Sequence, residues 1–274
     1  MTQRNAVAYA TARPGESRQQ IWLRHSRAFK ADYAVQALSL AGGVILWEIL
    51  GWLLALPWLP PFSKVLTALM ELIRNGEILA NLVVSLRSLA VGFIISVVVG
   101  LVVGVLMGLY KRVDQAIGIY VNALLFTPHL VFAPIFFALF HLSDWTRIAV
   151  IVKYTVFIII IDTATAVRSA DPSLLEMARS FGATKGQIFR RVLLPASTVL
   201  LLAGIRVGMG RAVKGMITAE MFIAFVGLGG LVQKYGSQFD ASRVLALTLV
   251  ILTVALVMGT LVQTADRRMT QWAD

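Results

Sequence analysis

The sequence predicts an all-α membrane protein with six transmembrane helices and a short helical segment outside the bilayer between the fourth and fifth. Three observations lead there. Hydrophobic residues make up 58% of the 274-residue chain and charged ones only 14%, against roughly 25% charged in soluble domains. The mean hydropathy is +0.79. Several windows reach the about 20 mostly apolar residues that a spanning helix needs, and Lys and Arg gather in alternate connections.

The elements follow in order. Residues 1–34 read as a basic, largely irregular tail. It lacks the roughly 7–15-residue apolar run and small-residue cleavage site of a secretory signal. A short amphipathic helix over Ile21–Phe29, lying on the membrane surface, is the alternative for part of it. The spanning domain covers residues 35–266, and residues 267–274 form a C-terminal tail. The first span is read at 35–56, the second at 84–108 and the third at 117–140. The fourth is read at 148–167, the fifth at 197–224 and the sixth at 244–264. Between the first two, Pro57, Pro60 and Pro61 stop the helix. Val65, Leu66, Leu69, Leu72 and Ile73 then recur at helical spacing, which predicts a short amphipathic helix against the outer surface. Within the second span Gly92, Ser96, Gly100, Gly104 and Gly108 fall every fourth residue. Such a stripe lets helix backbones approach closely.

Orientation follows from the basic residues. Fifteen Lys and Arg fall in the N-terminal tail, the 2–3 and 4–5 connections and the C-terminus; six fall on the opposite side. The heavier side is expected to be cytoplasmic, so both termini are inside, as an even number of spans requires. The net charge of +11 is thus assigned to orientation and not to nucleic acid. With no Cys, the chain has no disulfide, thiolate nucleophile or Cys-bound metal.

The 4–5 connection, about residues 170–194, is too polar to span and too regular for a plain loop. Asp171 with Pro172 can start a helix, or Ser173 and Glu176 can form a capping box. Gly182 is a natural helix stop. Thr184 and Gln187 are spaced as a second capping box, and Pro195 is read as the end of the segment. Leu175, Phe181, Ile188, Phe189 and Leu193 supply apolar contacts; Arg179, Lys185, Arg190 and Arg191 form a charged rim. From the residues alone, a docking element and a stable surface loop remain equal alternatives.

The arrangement Glu176-x-Ala178-x3-Gly182, followed by Leu194-Pro195, resembles the cytoplasmic "EAA" motif of ABC importer permeases, with Met177 where Ala is commoner. The blocks "NLVVSLRSLAVGFIISVVVGLVVGVLMG", "PHLVFAP", "GIRVGMGRAVKGMITAEMF", "VGLGGLV" and "RRMTQW" resemble the nitrate/sulfonate/taurine branch of that family. The likeness covers about residues 40–272. It implies a type I importer permease that works as a homodimer with two ATPase subunits and an extracytoplasmic substrate-binding protein, in a bacterial inner membrane. It also implies that ATP and Mg are bound by the partner ATPase and that this chain holds no cofactor. The coupling segment would be carried by Glu176, Ala178, Phe181, Gly182, Ile188, Leu194 and Pro195.

The chain has no G-x-x-x-x-G-K-[ST], no H-E-x-x-H and no G-x-S-x-G, so neither ATP hydrolysis nor another enzymatic activity is expected of it. Its three His are too scattered for a metal site. Charges within the spans cost about 2.5–3.5 kcal/mol each at a helix centre and therefore face the protein or water. Asp162 and Arg206 are expected to pair. His129, Lys153, Arg211, Lys214 and Glu220 are the candidates for a substrate path. If Asp162 neutralises Arg206, the remaining path is mildly positive and suits a small anion; if Glu220 or Glu48 pairs with Lys214, it is neutral. The rival readings are a stand-alone secondary transporter or channel, and the same permease type carrying a neutral or heterocyclic solute.

Overall fold

A computed structural model describes residues 18–224 and 226–269. The first 17 residues and the last five, parts of the expected tails, lie outside the described residues. Those described contain helices and turns and no strand. The described residues divide into two compact units, one ending at Thr67 and the other beginning at Ala68.

In the first unit, helix α1 (Arg18–Leu54) runs unbroken for 37 residues, of which Val35–Leu54 is apolar enough to span. The backbone of residues 18–34 is therefore helical, a correction to the irregular tail read from the sequence. After the prolines, α2 (Phe62–Arg74) begins. Its first turn is capped from α1: Glu48 Oε2 accepts the Ser63 N–H at 2.9 Å, and Glu48 Oε1 accepts the Ser63 hydroxyl and the Trp52 indole N–H, each at 2.8 Å. A carboxylate at a helix N-terminus satisfies orphan amides and complements the dipole. Glu48 is thus a cap.

In the second unit, α3 (Glu77–Leu109) and α6 (Asp144–Arg168) pack along the small-residue stripe. A Cβ placed on Gly92, Gly100, Gly104 or Gly108 would come within 2.5–2.7 Å of Ile151, Ile159, Thr163 or Val167 respectively. The partner's number is 59 higher in every pair, so the two helices run parallel. Parallel neighbours require the chain between them to return across the bundle. That return is made by α4 (Lys111–Phe126), a 3-10 turn (His129–Phe132) and α5 (Ala133–Phe140), bent by 102° at the break. The third span, read at 117–140, is therefore a bent pair that begins at Lys111. The Thr127 N–H still reaches Ala123 O at 3.0 Å, but Pro128 has no N–H to continue the ladder.

Among the described residues five helices are long and apolar enough to cross, and the bent pair counted as one makes six. The fifth is built on α9 (Leu194–Ala219), which packs on the other side of α6 with falling partner numbers: Gly204 against Asp162, Gly208 against Ile159, Gly215 against Tyr154. It is antiparallel to α6. The sixth, α11 (Ala241–Met269), follows α10 (Gly227–Ser237). Helix α6 is the centre of the unit, with Ile151, Ile159 and Thr163 almost wholly buried.

Candidate functional site

The segment between α6 and α9 forms two short helices, α7 (Pro172–Ser180) and α8 (Lys185–Ile188). Of the two possible caps for α7, the chain uses Asp171, whose side chain accepts the Ser173 N–H at 2.8 Å. That bond holds the Asp171 carboxyl below the usual carboxylate range. Glu176 is left exposed, and its side chain makes no hydrogen bond among the described residues. The helix ends in a Schellman motif: Ala183 N–H reaches Ala178 O at 3.0 Å and Gly182 N–H reaches Arg179 O at 2.9 Å, with Gly182 at φ +74°. Thr184 and Gln187 form the expected reciprocal capping box.

Helix α8 does not stop at Pro195. A π-helical turn (Phe189–Leu193) joins it to α9, and the helix is continuous over Lys185–Phe222. The wider turn lies where the ring of Pro195 would crowd the carbonyl of Arg191, four residues back. The expected end of the segment at Pro195 is thereby corrected.

The apolar side chains of the pair divide in two. Leu175, Ile188, Phe189 and Leu193 turn inward and, with Leu106, Tyr110 and neighbours at the end of α3, line a cleft of about 860 Å³. Leu174, Met177 and Phe181 point outward, Phe181 with 84% of its surface exposed. Ile188 therefore belongs to the inner set, while Leu174 and Met177, not singled out from the sequence, belong to the outer one.

The candidate path residues also separate. Lys214 stands exposed on α9 with no side-chain partner among the described residues. Arg211 lies one turn earlier and is half-buried. His129 stacks on Tyr154, ring centres 4.0 Å apart. The Tyr154 hydroxyl lies 3.3 Å from Thr218 Oγ1, which donates to Lys214 O. Lys153 is 5% exposed, so it does not line a path in this conformation.

Glu220 is wholly buried. Its Oε2 accepts Ser85 Oγ–H and Gly229 N–H, each at 2.9 Å, and Ser85 Oγ in turn accepts Leu228 N–H at 2.9 Å. The carboxylate thus ties α3, the end of the fifth span and α10 together, and leaves the path set. The signal for this was the glycine run after it: a Cβ on Gly227 (φ +71°) would sit 2.4 Å from Glu220 Oε1. The expected Asp162–Arg206 pair does not form. Arg206 pairs with Asp266 of α11, and Asp162 packs its Cβ against Gly204. Among the described residues no cluster of His, Asp and Glu could hold a metal ion.

Comparison with known proteins bears on this geometry. The family described as the inner membrane component of binding-protein-dependent transport systems matches residues 96–271. A probable ABC transporter permease of Brucella abortus is 32% identical over 79% of this chain and 86% of its own. A putative aliphatic sulfonates transport permease of Bacillus subtilis is 27% identical over 84% of each. A formylaminopyrimidine transport permease of Halalkalibacterium halodurans is 29% identical over 74% of this chain and 81% of its own. Among solved structures, a chain of the inward-facing MetNI methionine ABC transporter superposes with a TM-score of 0.59 over 70% of this chain and 93% of that one, at 21% identity.

Proposed function

Because this chain belongs to the family of inner membrane components of binding-protein-dependent transport systems, and is the multi-pass permease subunit of an ABC importer, we propose that it passes a small organic or inorganic anion along the basic face of α9. The observation that carries this reading is the exposure of that face. Val207, Gly210 and Lys214 are exposed, and Arg211 is half-exposed among them. A cation facing hydrocarbon near a helix centre costs about 2.5–3.5 kcal/mol, so the face is read as turned to water, to solute and to a second copy of the chain.

The complete importer is read as two such chains with two ATPase subunits on the cytoplasmic side, where both termini lie. ATP and Mg are bound by the ATPases. A binding protein outside the membrane delivers the solute. The outward knobs Leu174, Met177 and Phe181, with Glu176 and Ala178, form the ATPase contact; Gly182 sets the bend; Ile188, Leu194 and Pro195 transmit movement into the fifth span. The relative named for aliphatic sulfonates supports an anion. The relative named for formylaminopyrimidine supports the second reading, a neutral heterocycle.

Lys214→Met tests the choice, as it keeps length and removes charge. In proteoliposomes holding the permease and its ATPase, supplied with the binding protein, uptake should fall about tenfold, the equivalent of roughly 1.4 kcal/mol, while basal ATP hydrolysis holds. Unchanged uptake of the native solute, or its identification as a cation or neutral heterocycle, would refute the anion path.

A further inference from the structure

We infer that Lys153 is a positioning residue: it replaces the backbone donor that Pro128 lacks and so fixes the break in the third span against the central helix. In a continuous helix the Leu124 carbonyl would accept the N–H of residue 128. Residue 128 is proline, so that carbonyl is orphaned in the middle of a membrane protein, where an unsatisfied backbone group is costly. The Lys153 ammonium answers it, with Nζ donating to Leu124 O at 2.6 Å. Nothing nearer in sequence does so, and the donor comes from 29 residues away on α6.

The surroundings of the ammonium agree with this role. His129 Nδ1 lies 3.4 Å from it, on the far side of the break. The rings of Phe132 and Phe157 lie at 4.6 and 5.0 Å, within cation–π range. One carbonyl, one imidazole and two aromatic faces thus enclose a charge that is 5% exposed. The contacts reach both ends of the break: Leu124 belongs to α4, while His129 and Phe132 belong to the 3-10 turn that follows. Tyr154, the next residue on α6, stacks on His129 and reaches Thr218 of α9. The bend is thereby held to the same helix that α9 packs against. A fixed bend sets where the third span lies relative to the basic face of α9, whatever the charge of the solute.

The test is a double-substitution cycle. Lys153→Met removes the donor and leaves Leu124 O unpaired. Pro128→Ala gives residue 128 an N–H and frees Thr127 from the extended conformation (ψ 131°) that a following proline favours, so α4 can wind on by a residue and Leu124 O regains a local partner. In proteoliposomes with the partner ATPase and the binding protein, Lys153→Met should lower the maximal uptake rate about tenfold, in line with an unsatisfied buried carbonyl, with the half-saturating solute concentration unchanged. Pro128→Ala should restore the Lys153→Met protein to within about threefold of Pro128→Ala alone. If Lys153→Met does not accumulate in the membrane, Pro128→Ala should restore its level and its melting temperature. A double variant no better than Lys153→Met refutes the inference. So does a Lys153→Met protein with a raised half-saturating concentration and an unchanged maximal rate, which would make Lys153 a solute contact. Neither outcome depends on the Lys214→Met result.

Discussion

Replacing Gly104 with Ala should destabilise the protein, although Ala is the better helix former. A Cβ at position 104 would lie 2.5 Å from Thr163 Cβ, 2.6 Å from Ile160 O and 2.8 Å from Thr163 Cγ2. Carbon atoms settle at about 3.5–4.0 Å, so α3 and α6 must part by roughly 1 Å. Neither neighbour can swing away: Thr163 Cβ is the branch atom of a side chain that is 1% exposed, and Ile160 O is backbone. Because the register repeats, the same movement loosens Gly100 from Ile159 and Gly108 from Val167. Overpacking of this kind costs about 1–3 kcal/mol. At about 2–4 °C per kcal/mol for a chain of this size, the melting temperature of the detergent-solubilised protein should fall by roughly 2–12 °C. Gly259→Ala is the control, since a Cβ there meets nothing within 4 Å and helix propensity favours Ala by up to about 1 kcal/mol. A Gly104→Ala protein that melts at or above both wild type and Gly259→Ala would refute the parallel packing of the two helices.

Three further outcomes are expected. Gly182→Val places a β-branched residue at φ +74°, where about 1–2 kcal/mol is lost by ordinary L-residues; nothing lies within 4 Å of a Cβ there, so membrane insertion should hold while uptake and ATPase stimulation by binding protein fall together, and wild-type uptake would remove the coupling role. Glu220→Ala leaves the Gly229 N–H and the Ser85 hydroxyl without their acceptor, so the melting temperature should drop by the equivalent of about 1–3 kcal/mol, and a change below the error of calorimetry would show that the junction of α3, α9 and α10 does not rest on this carboxylate. A Cys at Ser173 should react with a membrane-impermeant maleimide only from the cytoplasmic side and one at Ser237 only from outside; the opposite labelling would overturn the orientation.

What the sequence made legible is local. Asp171–Pro172, Gly182 and Thr184–Gln187 act through hydrogen bonds within a few residues, so their chemistry is readable before any fold is known. The stripe from Gly92 to Gly108 is nearly as local, because a four-residue period on a helix defines a face. Its partner was not readable, since which helix fills a groove depends on the whole bundle. The same limit explains Arg206. Asp162 lies nearer in sequence, but Asp266 is brought by the packing of α11, and only tertiary structure distinguishes two carboxylates. Pro195 misled because its missing N–H signals a helix boundary, while a π turn absorbed it. The angle of the third span's break was not readable either, since its Leu124 carbonyl is met by a donor 29 residues away.

The charges in and beside the spans divide by what answers them. Arg147 pairs with Asp144, Arg168 with Asp114 at 2.6 Å and Arg206 with Asp266. Glu48 accepts from a helix N-terminus, Glu220 Oε2 accepts from Ser85 and Gly229 while its Oε1 is buried without a hydrogen bond, and Lys153 donates to a carbonyl among rings. Arg211 and Lys214 on α9 have no ion pair among the described residues, and neither has Arg87 on α3. Lys214 lies eight residues before Phe222, where the fifth span ends, which is about 12 Å along a helix; Arg211 is a turn deeper. On α11 the exposed large side chains are Leu252, Leu256, Val257 and Leu261. On α9 the exposed stripe carries Arg206, Gly210 and Lys214 instead, and nothing lies within 4 Å of a Cβ at Gly210. A glycine between two cations offers hydrocarbon no contact but leaves room beside them. Room and positive charge on one helix face support the anion path proposed above.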